Sequence, residues 1–502
     1  MAAETARSRY DVLRREREPF LFRARRNALL TIPSVMPLAG NSGHSHSYEP
    51  YQSVGAEGLS HLSSRLLMAL LPPGRNFFRL DIPADAIAAA GTDEKIKKQI
   101  TDWKQMLAAW EAAGQAVVDK GNWRIQTAAA LQQLICCGNV LEFMDSDNNL
   151  KLFRLDQYVV ARDWLGNLLE FIVEEKMARL ALPDEARGMV PGKDPQEEVT
   201  IYTWCRRSSN GDFYEIMQEV DDQIVPNTVG NIDADKLPYN ALRWATTPGE
   251  IYGRSKVEEH GGDLRSLEGL EKALLEGAAM ASRNIIMIKP TATAGGMRRR
   301  VAEAKNGDVL TGDFEQIAMM SFENKIGMQL TAEYAERVER RLRFAFLLNQ
   351  AVQRNAERVT ATEITVLVEE IENALGGVYS MLSHEMMEWR LGRLLFNLQR
   401  KGVIPVWPDG DITPRVLTGL EALSRDRDVS RVTTAAELIK MFGEPAMEVI
   451  EITDLLRQAF IGLGLQDVTL SRDEIEKRQE MKARLEAMVK AIPQAIAGQQ
   501  QQ

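Results

Sequence analysis

The sequence predicts an α+β fold in which helices predominate. Long, charged, amphipathic stretches lie near both ends and in the middle of the chain, while short alternating or apolar runs cluster between residues 139 and 219. Those short runs follow one another across turn signals instead of alternating with helices, which makes the expected sheet antiparallel and sets it inside an otherwise helical chain.

Residues 5–30 are dense in Arg and Glu, with Tyr10, Leu13, Phe20 and Ala24 on one helical stripe, so an amphipathic helix is expected there with a break near Pro19. Pro33 and Pro37 end it. A loop rich in Gly, Asn, Ser and His over residues 38–50 precedes a helix over 54–71. Longer helices are expected over 93–119 and 123–137. Strands follow over 139–143, 150–155, 158–162, 168–175, 200–206 and 213–219, in one sheet. Their turns are supplied by the Asp- and Asn-rich stretches 145–149, 163–167 and 208–212. Residues 183–197 read as a polar surface loop.

Downstream of Pro248 the chain becomes helical again. Residues 263–286 carry Leu264, Leu267, Leu270, Leu274 and Ala278 as one stripe, on a helix of about 35 Å at 1.5 Å per residue. Pro290, Gly295 and Gly296 break it, and residues 297–329 form a small segment with strand and turn signs around Gly307, Asp308, Val309 and Gly312. A second long helix, rich in Glu and Arg, is expected over 331–349. Two long helices around a compact insertion make a hairpin with a small head. Residues 350–359 are polar without an apolar face. Thr360 and Glu363 have capping-box spacing, which opens a helix running to about residue 400 with an interruption at Gly376 and Gly377. A linker over 402–414 and further helices, the last over 471–490, close the chain.

The 502 residues are 45% hydrophobic and 26% charged, with 61 Lys plus Arg against 71 Asp plus Glu. This is a globular composition and excludes a disordered, collagen-like or disulfide-scaffold chain. The length suits about three units, or one elongated chain of small layers. A net charge of −10 argues against a protein that grips nucleic acid over its whole surface. Cys136 and Cys137 are adjacent and Cys205 stands alone, so zinc-ligand spacing is missing and a reducing compartment is expected. No signal peptide or bilayer-spanning segment is expected, because residues 1–19 are charged and the apolar run from Leu66 to Leu71 stops at Pro72.

The motifs of P-loop nucleotide binding, nucleophile elbows and zinc peptidases are missing from the sequence. No catalytic residue, metal site or cofactor is expected. His44 and His46 with Glu49 offer metal-ligand chemistry on a loop that does not fix their geometry. His384 with Glu385 reads as a surface pair, and Asp81, Asp145, Asp147 and Asp163 as turn formers. Arg298, Arg299 and Arg300 are diluted by Glu303, Asp308, Asp313 and Glu315, which favours a solvated or partner-facing patch over DNA binding. Arg337, Arg340, Arg341 and Arg343 are interleaved with Glu336 and Glu339. They fit either exposed i, i+4 pairing or pairing between copies of the chain. Trp103, Trp110, Trp123, Trp164 and Trp204 read as core or interface, not as base-stacking residues.

Several stretches together resemble the portal, or head-to-tail connector, proteins of short-tailed bacteriophages. They are residues 51–59 (Tyr51, Gln52, Gly55, Gly58), Gly138 to Leu141, Tyr252 to Ser255, Gly262 to Glu268, Phe344 to Asn349, Ala351 to Arg354, Glu357 to Ala361, Glu363 with Ile364, and Leu375 to Ser380. They occur in the family's order across residues 10–423.

The resemblance implies a portal-type elongated subunit in a homo-oligomeric ring, a dodecamer, at one vertex of the virion head. Double-stranded DNA would pass through it during packaging and ejection, without sequence specificity. Residues 1–261 would form the wing, 262–288 and 331–349 the stem, 289–330 the clip, 350–359 a channel loop, 360–400 a long wing helix, and 401–502 a linker and crown. Gln353, Arg354, Asn355 and Arg358 would face DNA, although Arg354 and Arg358 fit a loop salt bridge with Glu357 equally well. The clip, through Arg298, Arg299, Arg300 and Lys305, would dock terminase and then the tail adaptor. Arg337, Arg340, Arg341 and Arg343 would join stem neighbours. Scaffolding, major capsid and internal core proteins are further implied partners; membranes are not. Assembly would take place in the host cytoplasm. A metal-dependent nuclease or other hydrolase, and a helical scaffold or adaptor without a DNA channel, are the competing readings.

Overall fold

The computed structural model describes residues 5–38, 48–73, 76–83, 94–190, 194, 196–281, 285–288, 299, 303, 317–320, 325–348, 375, 377–407 and 412–417. Helices predominate and every paired strand is antiparallel, so the expected α+β class holds. In chain order the elements are α1 (Ala6–Leu29), α2 (Val54–Leu70), β1 (Phe78–Asp81), α3 (Glu94–Lys120), α4 (Trp123–Cys137), β2 (Asn139–Met144), β3 (Leu150–Phe153), β4 (Tyr158–Arg162), β5 (Leu168–Ala178), α5 (Asp184–Arg187), β6 (Glu198–Arg207), β7 (Phe213–Val220), β8 (Gln223–Ile224), β9 (Gly230–Asp233), β10 (Tyr239–Arg243), α6 (Lys256–Glu259), α7 (Gly261–Ala281), β11 (Ile285–Ile288), β12 (Ile317–Met320), α8 (Lys325–Ala345), α9 (Val378–Leu382), α10 (Trp389–Arg400) and β13 (Thr413–Val416). A π-helical turn, Ser383–Glu388, joins α9 to α10.

The chain divides into two compact units. The larger comprises Met1–Arg75, Ala113–Glu357 and Glu370–Val406. The smaller comprises Asn76–Ala112, Arg358–Glu369 and Trp407–Gln502. Within the smaller unit β1 pairs with β13, the Leu80 amide donates to the Glu111 carboxylate at 2.9 Å, and Trp110 stacks on Trp407 at 5.7 Å.

The strands between Asn139 and Arg243 form two sheets, not the single sheet expected. One has the order β10-β2-β3. The other runs β4-β5-β6-β7-β8, with β9 also on β7. The split falls at the corner between β3 and β4, where Arg17 of α1 donates to the carbonyls of Asp156 (3.0 Å) and Tyr158 (2.9 Å). The helix α1 covers the larger sheet, its Ala6, Tyr10 and Leu13 packing on Val159, Ile172 and Trp204. This helix is not broken at Pro19. The carbonyl that Pro19 leaves without a helical partner belongs to Arg15, and both residues lie on the solvent side, where the carbonyl is free to accept from solvent.

Residues 183–197 are also more than a surface loop. Leu182, Ala186 and Val190 close a buried cluster with Val199, Ile201, Val220 and Val225 at the end of the larger sheet. The α7 helix ends at Ala281, short of the expected Ile286, because Ile285–Ile288 is a β-favouring apolar run that pairs with Ile317–Met320. Its partner helix α8 starts at Lys325, earlier than expected, and ends at Ala345, before Leu347 adopts the left-handed φ of +58°. Gly377, at φ +88°, interrupts the later helix where the sequence placed the break. Beyond it, the π turn frees the Glu385 carbonyl to accept from the Asn240 side chain at 2.8 Å, which ties this helix to the three-stranded sheet.

Candidate functional site

The hairpin of α7 and α8 gathers most of the described side chains to which the sequence assigns a role. Leu264 and Leu267 of α7 are buried, as are Ala335, Val338, Leu342 and Phe346 of the α8 segment, and these form its seam. The hairpin is clasped to α2 by the segment before it. Glu268, only 9% exposed, accepts the Tyr48 hydroxyl and the amides of Tyr51 (3.0 Å) and Gln52 (3.2 Å). That hydrogen bond pushes the Tyr48 phenol up to about 12. The Gln52 amide group donates to the Leu30 carbonyl at 2.7 Å and accepts from the Gly55 amide at 2.8 Å.

Both glycines of this stretch are required by close approach. A Cβ on Gly55 would lie 2.2 Å from the Leu30 carbonyl, and one on Gly58 would lie 2.6 Å from the Phe346 ring. Residues 51–59, picked out as a motif, therefore form a joint between the end of α1, α7 and the end of α8.

At about 100° per residue, the face of α8 opposite its seam presents Ile326, Leu330, Glu333, Arg337, Arg340 and Phe344. Leu330 is 60% and Phe344 75% exposed. The exposed apolar residues of α8 stand among charged ones, whereas the seam is apolar throughout. Three of its arginines are paired within the chain. Arg341 meets Asp263 of α7 at 3.0 Å, Arg343 meets Glu339 at 2.7 Å, and Arg340 lies 3.7 Å from Glu336. Arg337 is exposed and has no ion-pair partner among the described residues.

Arg337, Arg340, Lys256, His260 and Asp263 line an open cleft of about 910 Å³ at the α6–α7 end of the hairpin, with Phe344 at its side. The His260 ring packs edge-on to Phe346 at 5.8 Å, and its Nε2 is buried without a hydrogen bond. Burial, and then the nearby Lys256 charge, hold its pKa below the ordinary value. Lys256, His260 and Asp263 were missed as members of this group. Only the pairing of two helices far apart in sequence brings them to the arginines.

A second motif pair is structural. Gly138, at φ +78°, ends α4, and Asn139 follows. The Asn139 side chain donates to the Gly253 carbonyl at 2.9 Å and accepts from the Gly253 amide at 2.7 Å, as a strand neighbour would. Arg254 is held by Glu250 and Glu258, and Ser255 caps α6 while accepting from Asn27 at 2.9 Å. The two motifs are thus halves of one joint.

The structure brings the remaining expected residues into no common site. Arg299 pairs with Glu303 at 2.9 Å, both exposed, and the His384 ring meets Glu388 at 2.8 Å. Asp145 and Asp163 cap their turns, Asp145 accepting from the amides of Asp147 and Asn149, and Asp163 from those of Leu165 and Asn167. Trp123 and Trp204 are core, whereas Trp164 is 90% exposed. Gln353, Arg354, Asn355, Arg358, Arg298, Arg300, Lys305, His44, His46 and the Thr360 cap lie outside the described residues. Among the described residues, no group of three or more His, Cys, Asp or Glu could hold a metal ion.

Residues 3–469 match the family model described as "Bacteriophage head to tail connecting protein". The chain belongs to this family. Among individual connector relatives, it is 32% identical to the portal protein of Escherichia phage T7, covering 99% of this chain and 95% of the relative. It is 32% identical to the portal protein of Enterobacteria phage T3 (94% and 90% covered) and 29% identical to that of Enterobacteria phage SP6 (96% and 94%). In this connector the joints built from residues 51–59, 138–139 and 252–255 are scaffold.

Proposed function

We propose that this connector chain is the portal subunit of a short-tailed phage particle, and that twelve copies close into a ring through which double-stranded DNA enters and leaves the head. The family match across residues 3–469 is the observation that carries the reading. The exposed face of α8 supports it, because Leu330, Phe344 and Arg337 find no cover or ion-pair partner among the described residues and suit contact with a second copy. In the ring, Arg337, Arg340, Arg341 and Arg343 would exchange or share carboxylates with the next copy.

The net charge of −10 suits such a channel. Each tight Lys or Arg contact to phosphate releases counterions and adds binding free energy that must be broken as DNA slides, so an acidic ring passes DNA without holding it. Arg354 and Arg358, with Gln353 and Asn355, then act as sparse contacts that do not depend on sequence. Arg298, Arg299, Arg300 and Lys305 face the packaging enzyme and, later, the tail adaptor. Nothing in this role calls for catalysis or a cofactor. Among the described residues, no helix is long and apolar enough to cross a membrane.

Sedimentation velocity tests the assembly. The unmodified chain should sediment as one large ring species, and Arg337→Glu with Phe344→Ser should shift it toward monomer. A monomer that degrades duplex DNA when Mg²⁺ or Mn²⁺ is added would replace this reading with a nuclease.

A further inference from the structure

A second cleft, of about 400 Å³, lies far in sequence from the stem hairpin, between α1 and the β3–β4 corner with β5. Its walls carry Arg14, Arg17 and Arg25 from one face of α1, and Arg154 and Lys176 from the sheet side. Three carboxylates share these walls, but two are already engaged. Asp156 takes both prongs of Arg154 at 3.1 Å, and Glu174 accepts the hydroxyls of Tyr10 (3.1 Å) and Tyr202 (3.3 Å). Glu18 is the third.

Arg17 is the unusual member. It is 3% exposed, yet its acceptors among the described residues are neutral: the Tyr10 hydroxyl at 3.0 Å and the carbonyls of Asp156 and Tyr158, all served by one terminal nitrogen. Its Nε is buried without a hydrogen-bond partner among the described residues, and so is the Nε of Arg25. A buried guanidinium that no carboxylate neutralises directly is costly unless an anion completes it. Arg14 and Arg25 are eleven residues apart, about 16 Å along the helix, so the cations form a line and not a point.

We propose that this cleft binds an extended acidic segment of a partner protein, whose carboxylates pair with Arg14, Arg25 and Lys176 above the buried Arg17. A strand with acidic residues at alternate positions sets carboxylates about 7 Å apart on one side, which matches a line of this length. Peptide over nucleic acid is favoured by Glu18 in the wall, because both Gln157 carbonyls are already taken by the amides of Glu174 (2.7 Å) and Arg154 (3.0 Å). The Glu18 carboxylate can accept backbone amides, donors that a peptide offers and a phosphodiester chain does not. The site makes no use of the ring reading and stands or falls apart from it.

The test is fluorescence polarisation of a fluorescein-labelled octapeptide of alternating Glu and Ser, titrated with the full chain. The expected result is saturable binding that Arg14→Glu with Arg25→Glu weakens by about tenfold or more. The equally charge-changing pair Arg15→Glu with Arg400→Glu, placed on exposed surface elsewhere, should stay within about twofold. Inorganic phosphate and a short DNA duplex should compete less well than unlabelled peptide. No binding, equal loss in the two variants, or displacement chiefly by the duplex would each overturn the proposal.

Discussion

Arg390 and Glu142 form an ion pair in which neither side chain is exposed. The Arg390 Nε lies 3.0 Å from Glu142 Oε2, a second nitrogen meets Oε1, and a third donates to Thr127 Oγ1 at 2.6 Å. The pair fastens α10 to β2 and α4 in the interior. Removing one partner strands the other charge, so Arg390→Met or Glu142→Leu alone should cost about 3–5 kcal/mol in chemical denaturation. The double variant should recover most of that loss, because two apolar side chains strand nothing. Single variants within about 1 kcal/mol of the parent would mean the pair is solvated in solution.

Gly58 gives a steric test of the clasp. Its added Cβ would enter the Phe346 ring at 2.6 Å, so Gly58→Ala should destabilise by about 1–3 kcal/mol through overpacking. In a Phe346→Leu background the same change should cost less, and a double-mutant cycle should return a clear coupling. Additive effects would place the strain elsewhere.

His260 predicts a pH effect with a definite sign. Its folded pKa lies below the unfolded value of 6.5, so as pH falls the unfolded chain takes up this proton first. Its contribution is complete above the unfolded value and is lost as pH falls through the folded one. Between pH 7.5 and pH 5, His260→Gln should therefore lose less of its urea midpoint than the unmodified chain. Identical losses would show that His260 does not sense the change.

Under the proposed function, Arg354 and Arg358 should separate assembly from DNA handling. Arg354→Ala with Arg358→Ala should leave ring formation unchanged while altering DNA packaging or retention, read as DNA content per particle. Unchanged DNA content and phage yield would remove these residues from the channel's working surface.

Local chemistry was readable in the sequence and distant pairing was not. Asp145 and Asp163 marked their turns because an Asx side chain binds amides two and four residues away, a geometry contained in five residues. The strand Tyr158–Arg162 and the helix Trp123–Cys137 have the expected bounds for similar reasons. The second sheet was missed because β10 reaches β2 across almost a hundred residues, and nothing within Tyr239–Arg243 names its partner. Leu182, Ala186 and Val190 looked like isolated apolar residues in a polar loop until β6 and β7 gave them a common floor. The arginines of α8 were visible as a cluster, but Asp263 as the partner of Arg341 follows only from the antiparallel packing of two helices.

Closure of copies of this chain around a channel is best read from negative-stain class averages of the purified protein. Closed rings with a central, stain-filled hole are the predicted result, with symmetry that can be counted in end views. Uniform monomers, or oligomers without a through-hole, would contradict it.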